Sequence, residues 1–157
     1  METSLVHIDA FQITGITTRT TNGDEQNPSE AKIGPLWGRF YAENIRRNIP
    51  DAADMDTTYG VYSNYESDIF GKYNLTVGIK TNAIVSDPNL HSLTIQAGDY
   101  MVFRNSGPMP QMVIDTWMEI WRIFTTGKTE WRRDFATDFE KYEREGEVAI
   151  YIGVSKK

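Results

Sequence analysis

The order of strand and helix signals runs twice along this chain, and that repetition limits the architecture more than any single motif does. Residues 5–21 are rich in Val, Ile, Phe and Thr and interrupted at Gly15, which predicts one long bent strand or two short ones with a bulge. Asn27, Pro28 and Glu30 have the pattern of an N-cap, a first-turn proline and a capping glutamate, so a helix is expected to begin there. Leu36, Trp37, Phe40, Tyr41 and Ile45 then recur at helical spacing. Extended segments follow at 58–65 and 75–81. Beyond a break at Asp87, Pro88 and Asn89 the order returns: Leu93, Ile95 and Ala97 alternate, and 100–104 is extended again. Val113, Thr116, Trp117, Ile120, Trp121 and Phe124 make a second apolar stripe that stops at Gly127. A mixed segment, 131–142, and a strand, 147–154, close the chain. The two halves meet near residues 86–92. The reading is an α+β fold in one domain, 1–157: a duplicated β-α-β-β unit, with two main helices on one face of a shared antiparallel sheet and a ligand cleft at the pseudo-twofold seam.

Composition narrows the function. The chain has 16 Lys and Arg against 22 Asp and Glu, a net charge of −6, which disfavours phosphate-backbone binding, so no direct nucleic-acid contact is expected. Cysteine is absent, removing thiolate chemistry and Cys-based zinc sites and making a reducing cytoplasm the expected location. No secretory leader or membrane-spanning run is evident. His7 and His91 lack metal-ligand spacing, and no GxSxG, GxGxxG or P-loop pattern occurs, so neither metal, cofactor nor enzymatic activity is expected. The excess is aromatic, at 12% of residues. Rings most often fill a core, but this many can also line a cavity.

Several segments, in order and at consistent spacing, carry a resemblance that spans about 150 residues. They are the run from Phe11 to Thr20 around Gly15; Ile33-Gly34-Pro35-Leu36-Trp37-Gly38-Arg39-Phe40; and Tyr59-Gly60-Val61-Tyr62. In the second half they are Ala97-Gly98-Asp99-Tyr100 through Gly107-Pro108, then Asp138-Phe139-Glu140-Lys141-Tyr142 with Ala149 to Val154. Together these resemble the gyrase-inhibitor-like effector-binding domain family, the sensor half of many AraC-type and MerR-type transcription regulators. Free-standing members also occur, including ones on integron gene cassettes. No DNA-binding segment flanks the resemblance, so the free-standing kind is expected, with any regulatory output passing through a protein partner.

The resemblance implies an aromatic cavity floored by a glutamate, and its Phe-Glu-x-Tyr pattern falls on Glu140. A desolvated carboxylate paired with a flat lipophilic cation that stacks on rings is coherent chemistry. Candidate wall residues are Trp37, Tyr59, Tyr62, Trp117, Trp121, Phe139, Tyr142 and Tyr151, with Met109 and Met112 near the second helix start. Tyr59 and Tyr62, three apart on a strand, point to opposite faces and cannot both contribute. Glu66 and Glu147 are weaker acidic candidates. Asp134, Asp138 and Glu140, interleaved with Arg132, Arg133 and Lys141, also read as a solvated face. The expected function is binding of lipophilic or cationic aromatic compounds for sensing or sequestration. The alternatives are a hydrolase using the glutamate as general base, as in some members of this group, and an inhibitor docking on DNA gyrase.

Overall fold

The computed structural model describes residues 1–157 and resolves the repeated order into eight strands and four helices. They run β1 (Glu2–Ile8), β2 (Phe11–Thr20), α1 (Asn22–Glu25), α2 (Ile33–Ala42), α3 (Ile45–Asn48), β3 (Thr58–Ser63), β4 (Tyr73–Thr81), β5 (His91–Ile95), β6 (Gly98–Ser106), α4 (Gln111–Thr126), β7 (Trp131–Tyr142) and β8 (Glu147–Lys156). All strands join one antiparallel sheet, ordered β1-β6-β8-β7-β3-β4-β2-β5. Outward from the β3–β7 seam the two halves read alike, as β3-β4-β2 and β7-β8-β6. The duplicated units are therefore β2-α2-β3-β4 and β6-α4-β7-β8. Each unit is preceded by a strand that crosses to the other: β1 pairs with β6, and β5 with β2.

Strand alternation divides the core in two. One face of the sheet presents Leu75, Val77, Ile79, Phe103, Ile150 and Ile152 to Leu36 and Phe40 of α2 and to Met112, Trp117 and Ile120 of α4. The opposite face carries Ile13, Tyr59, Val61, Ile95, Tyr100 and Phe139, with Val6 and Ile8 from one edge strand and Leu93 from the other packed onto them. The sheet curls to achieve this. The rings of Phe11 and Phe139 are 5.8 Å apart, although a flat sheet would separate β2 from β7 by about 14 Å.

Local departures from the sequence expectations have physical causes. Asn27, Pro28 and Glu30 do not start a helix. Asn27 accepts from Ser29 N at 3.2 Å within a turn, and the N-terminus of α2 is satisfied instead by Glu25, whose carboxylate accepts from the backbone of Lys32 at 2.9 Å and of Ile33 at 3.1 Å. Ile45 belongs to the separate α3, because Asn44 takes a left-handed conformation, φ 53°. The first extended run breaks between Ile8 and Phe11, not at Gly15. The mixed segment 131–142 is a full strand. No helix is long and apolar enough to cross a membrane.

Gly15 and Gly78 pair across β2 and β4 at a close backbone approach. A Cβ on Gly15 would lie 1.9 Å from the Val77 carbonyl oxygen, and one on Gly78 would lie 2.1 Å from that of Thr14. Gly38, exposed in the interior of α2, has nothing within 4 Å of an added Cβ. Gly15→Ala is expected to lose about 3 kcal/mol or more of unfolding free energy, and Gly38→Ala to gain about 0.5–1 kcal/mol. Urea-unfolding midpoints of the two variants check both signs.

Candidate functional site

Asp138, Glu140 and Tyr142 are alternate residues of β7 and share the helix-facing side of the sheet beside the seam. Both carboxylates are buried, Asp138 at 0% and Glu140 at 3% exposure, yet their surroundings differ. Asp138 accepts from Arg133 Nη2 at 2.8 Å, Tyr65 Oη at 2.6 Å and the Gly153 backbone N–H at 2.9 Å. Its charge is matched inside the protein. Arg133 reaches it through a bulge: between the pairs Arg133↔Val154 and Asp138↔Ile152, residues 134–137 face Gly153 alone. Phe135, in that bulge, is left-handed at φ 52°, and its ring lies 4.3 Å from the guanidinium.

Glu140 has no such cation. Its Oε2 accepts from Trp117 Nε1 at 2.7 Å and Tyr62 Oη at 2.9 Å, and its Oε1 from Tyr142 Oη at 2.8 Å. All three donors are neutral. Burial raises the carboxyl's pKa above its ordinary range, and the three hydrogen bonds act against that rise. Burial, with Glu140 alongside, also pushes the phenols of Tyr62 and Tyr142 well above theirs, so both remain donors.

The space above is a cavity of about 1220 Å³ between α2 and α4, floored by β3 and β7. Trp37 of α2 lies over Gly60, where a Cβ would come within 3.0 Å of both the indole and Glu140 Oε1. Tyr142 meets Trp37 edge-on at 5.3 Å, while Trp117 of α4 meets Tyr62 at 5.1 Å and Trp121 at 6.3 Å. Acidic residues Asp56, Asp68, Glu143, Glu145 and Glu147 line the cavity with Arg144.

Of the candidates, Glu140, Trp37, Trp117, Trp121, Tyr142 and Tyr62 come together here. Tyr59, Phe139 and Tyr151 do not, which corrects their assignment to the wall. The two-residue period turns them to the opposite face, where Phe139 and Tyr151 stack at 4.4 Å and Tyr59 packs 6.0 Å from Phe139. Glu66 is exposed outside the cavity, and Glu147 is exposed among its lining residues. Met109 lines the cavity, whereas Met112 is core. The solvated-face reading holds for Asp134 alone, since Asp138 and Glu140 are buried. Sequence reasoning missed Gly60, Tyr65, Tyr73 and Arg133. Alternation and pairing from Glu140 identify Gly60, but no sequence signal predicts the bulge that brings Arg133 in.

Because the folded pKa of Glu140 lies above its unfolded value, the native state holds a proton that the unfolded chain releases first. Wild type is therefore expected to lose stability relative to Glu140→Gln as pH rises from about 4 towards neutrality, by ~1.4 kcal/mol per unit of elevation. Urea unfolding of both proteins across that range measures it, and parallel curves would mean an ordinary carboxyl.

Comparison with known proteins agrees with this architecture. The family model of the integron-associated effector binding protein, Cass2, matches residues 4–154. The regulator-like protein YobU of Bacillus subtilis (strain 168) is 29% identical over 161 residues, covering 97% of each chain. An integron cassette protein from the mobile metagenome of Vibrio cholerae superposes with a TM-score of 0.82 at 36% identity, covering 98% of this chain and 95% of the other. SAV2435, solved bound to tetraphenylphosphonium, shares the fold with a TM-score of 0.78 at 18% identity, covering 99% and 94%. The repeated strand order, the seam cavity and the sequence match converge: this chain is a member of the integron-associated effector-binding protein family.

Proposed function

We propose that this protein binds lipophilic aromatic cations reversibly in the seam cavity, in the cytoplasm, with Glu140 as charge partner and Trp37, Trp117, Trp121 and Tyr142 as the enclosing rings. The observation that carries the reading is a buried carboxylate with no cation of its own, held by three neutral donors at an aromatic cavity. A cation arriving there supplies the missing charge, and each ring face it meets adds roughly 0.5–2 kcal/mol. SAV2435, of the same fold, binds a cation of this class. Binding without turnover is favoured because Trp117, Tyr62 and Tyr142 already occupy the carboxylate oxygens, so a water molecule would have to compete with these donors for them. The ligand would be sensed, through a protein partner, or sequestered.

Titration of the Trp fluorescence with tetraphenylphosphonium tests this. Saturable binding is expected, weakened more than about tenfold by Glu140→Gln, and weakening in wild type as pH falls through the Glu140 pKa, because proton and cation compete for one carboxylate. Absence of binding, or binding indifferent to both charge changes, would overturn the reading. Mass spectrometry of the recovered ligand should find it unchanged.

The acidic lining adds a kinetic expectation. Carboxylates at Asp56, Asp68, Glu143, Glu145 and Glu147 should draw a cation inward, so stopped-flow association is expected to slow as salt rises from about 0.01 M to 1 M, with dissociation changing much less.

A further inference from the structure

The second buried charge of the cavity has a use that its ion pair does not exhaust. Arg133 donates through Nε at 3.3 Å and Nη2 at 2.8 Å to Asp138, and through Nη2 at 3.2 Å to Tyr65 Oη. Its Nη1 takes part in none of these bonds. No fully buried side-chain nitrogen or oxygen in the protein lacks a partner, so Nη1 keeps some accessible surface. The side chain is only 6% exposed, and the space it lines is the cavity. The unpaired Nη1 of a rigid guanidinium is therefore the donor that Arg133 has left to offer at the cavity wall.

Placement relative to Glu140 follows from the strand. Asp138 and Glu140 are two residues apart on one face of β7, which sets their Cα atoms about 7 Å apart. The Trp117 indole spans the interval, with its Nε1 on Glu140 and its ring 5.7 Å from the Arg133 guanidinium. One end of this aromatic floor takes a cation, and the other offers a hydrogen-bond donor. Asp138 already cancels the guanidinium charge, and an anionic group would meet the carboxylates of Asp138 and Glu140. The donor is thus suited to a neutral oxygen.

We infer that Arg133 is a specificity-determining residue, donating from Nη1 to a neutral acceptor carried by the ligand beyond its cationic centre, across the Trp117 ring from Glu140. The preferred ligands are then lipophilic cations bearing a carbonyl, ester or ether oxygen. The inference rests on the cation-binding reading above and adds a second anchor to it.

The test compares two near-isosteric cations by calorimetry: (4-acetylphenyl)triphenylphosphonium, which carries the acceptor, and (4-isopropylphenyl)triphenylphosphonium, which lacks it. Wild type is expected to bind the acetyl compound about five- to tenfold more tightly. Arg133→Lys keeps a positive charge beside Asp138 but loses the planar fork, and should bring the two affinities together, read as their ratio within the variant. Equal affinities in wild type, with both compounds bound, overturn the Arg133 role and leave the cation site standing. Binding of neither compound overturns both readings. The wild-type comparison decides the matter even if the lysine variant does not fold.

Discussion

A carboxylate placed out of water without a counter-charge is the constraint around which this molecule is arranged. Its three hydrogen-bond donors come from β3, α4 and β7, so one side chain ties the central strands of the sheet to a helix above it. Unlike Asp138, which is neutralised within its own strand by Arg133, Glu140 is stabilised by dipoles alone. Dipoles hold the group in place yet leave it electrostatically unfinished. Because the donors are bulky rings, the atoms that hold the charge also form the walls.

The two halves share a topology and divide the work at the seam. Directly opposite Glu140 in β7 stands Gly60 in β3, so one half contributes the charge and the other the room for it. The helices divide similarly: α4 offers Trp117 by its N–H edge, and α2 lays Trp37 over the glycine. Duplication produced a symmetrical scaffold, and side-chain differences at equivalent places made a directional pocket within it.

The repeated element order was legible because periodicity and turn residues report local backbone preference, and both helices and most strands follow them. Glu140 was legible through the resemblance, and Trp37, Trp117, Trp121 and Tyr142 through their place on helix faces and a strand that look toward the seam. The errors arose where a contact joins distant residues. Glu25 caps a helix seven residues downstream, which left the local signal at Asn27 to a turn. Phe139 and Tyr151 look like cavity rings by composition, and only the phase of the strand relative to Glu140 sends them to the other face. Arg133 entered the site through a bulge whose four-to-one pairing no spacing rule anticipates.

The exchange of leading strands binds the two halves in time as well as in space. β1 is made well before its partner β6, which lies between 90 and 102 residues further along, from Ile8↔Gly98 to Glu2↔Arg104. At about 5–20 residues per second of synthesis, β1 waits on the order of 5–20 s for that partner. The first half meanwhile lacks β7, against which β3 must pair, and so gains little by settling early. Polar side chains at four of the seven positions of β1, Glu2, Thr3, Ser4 and His7, make the waiting strand less suited to pairing with another chain.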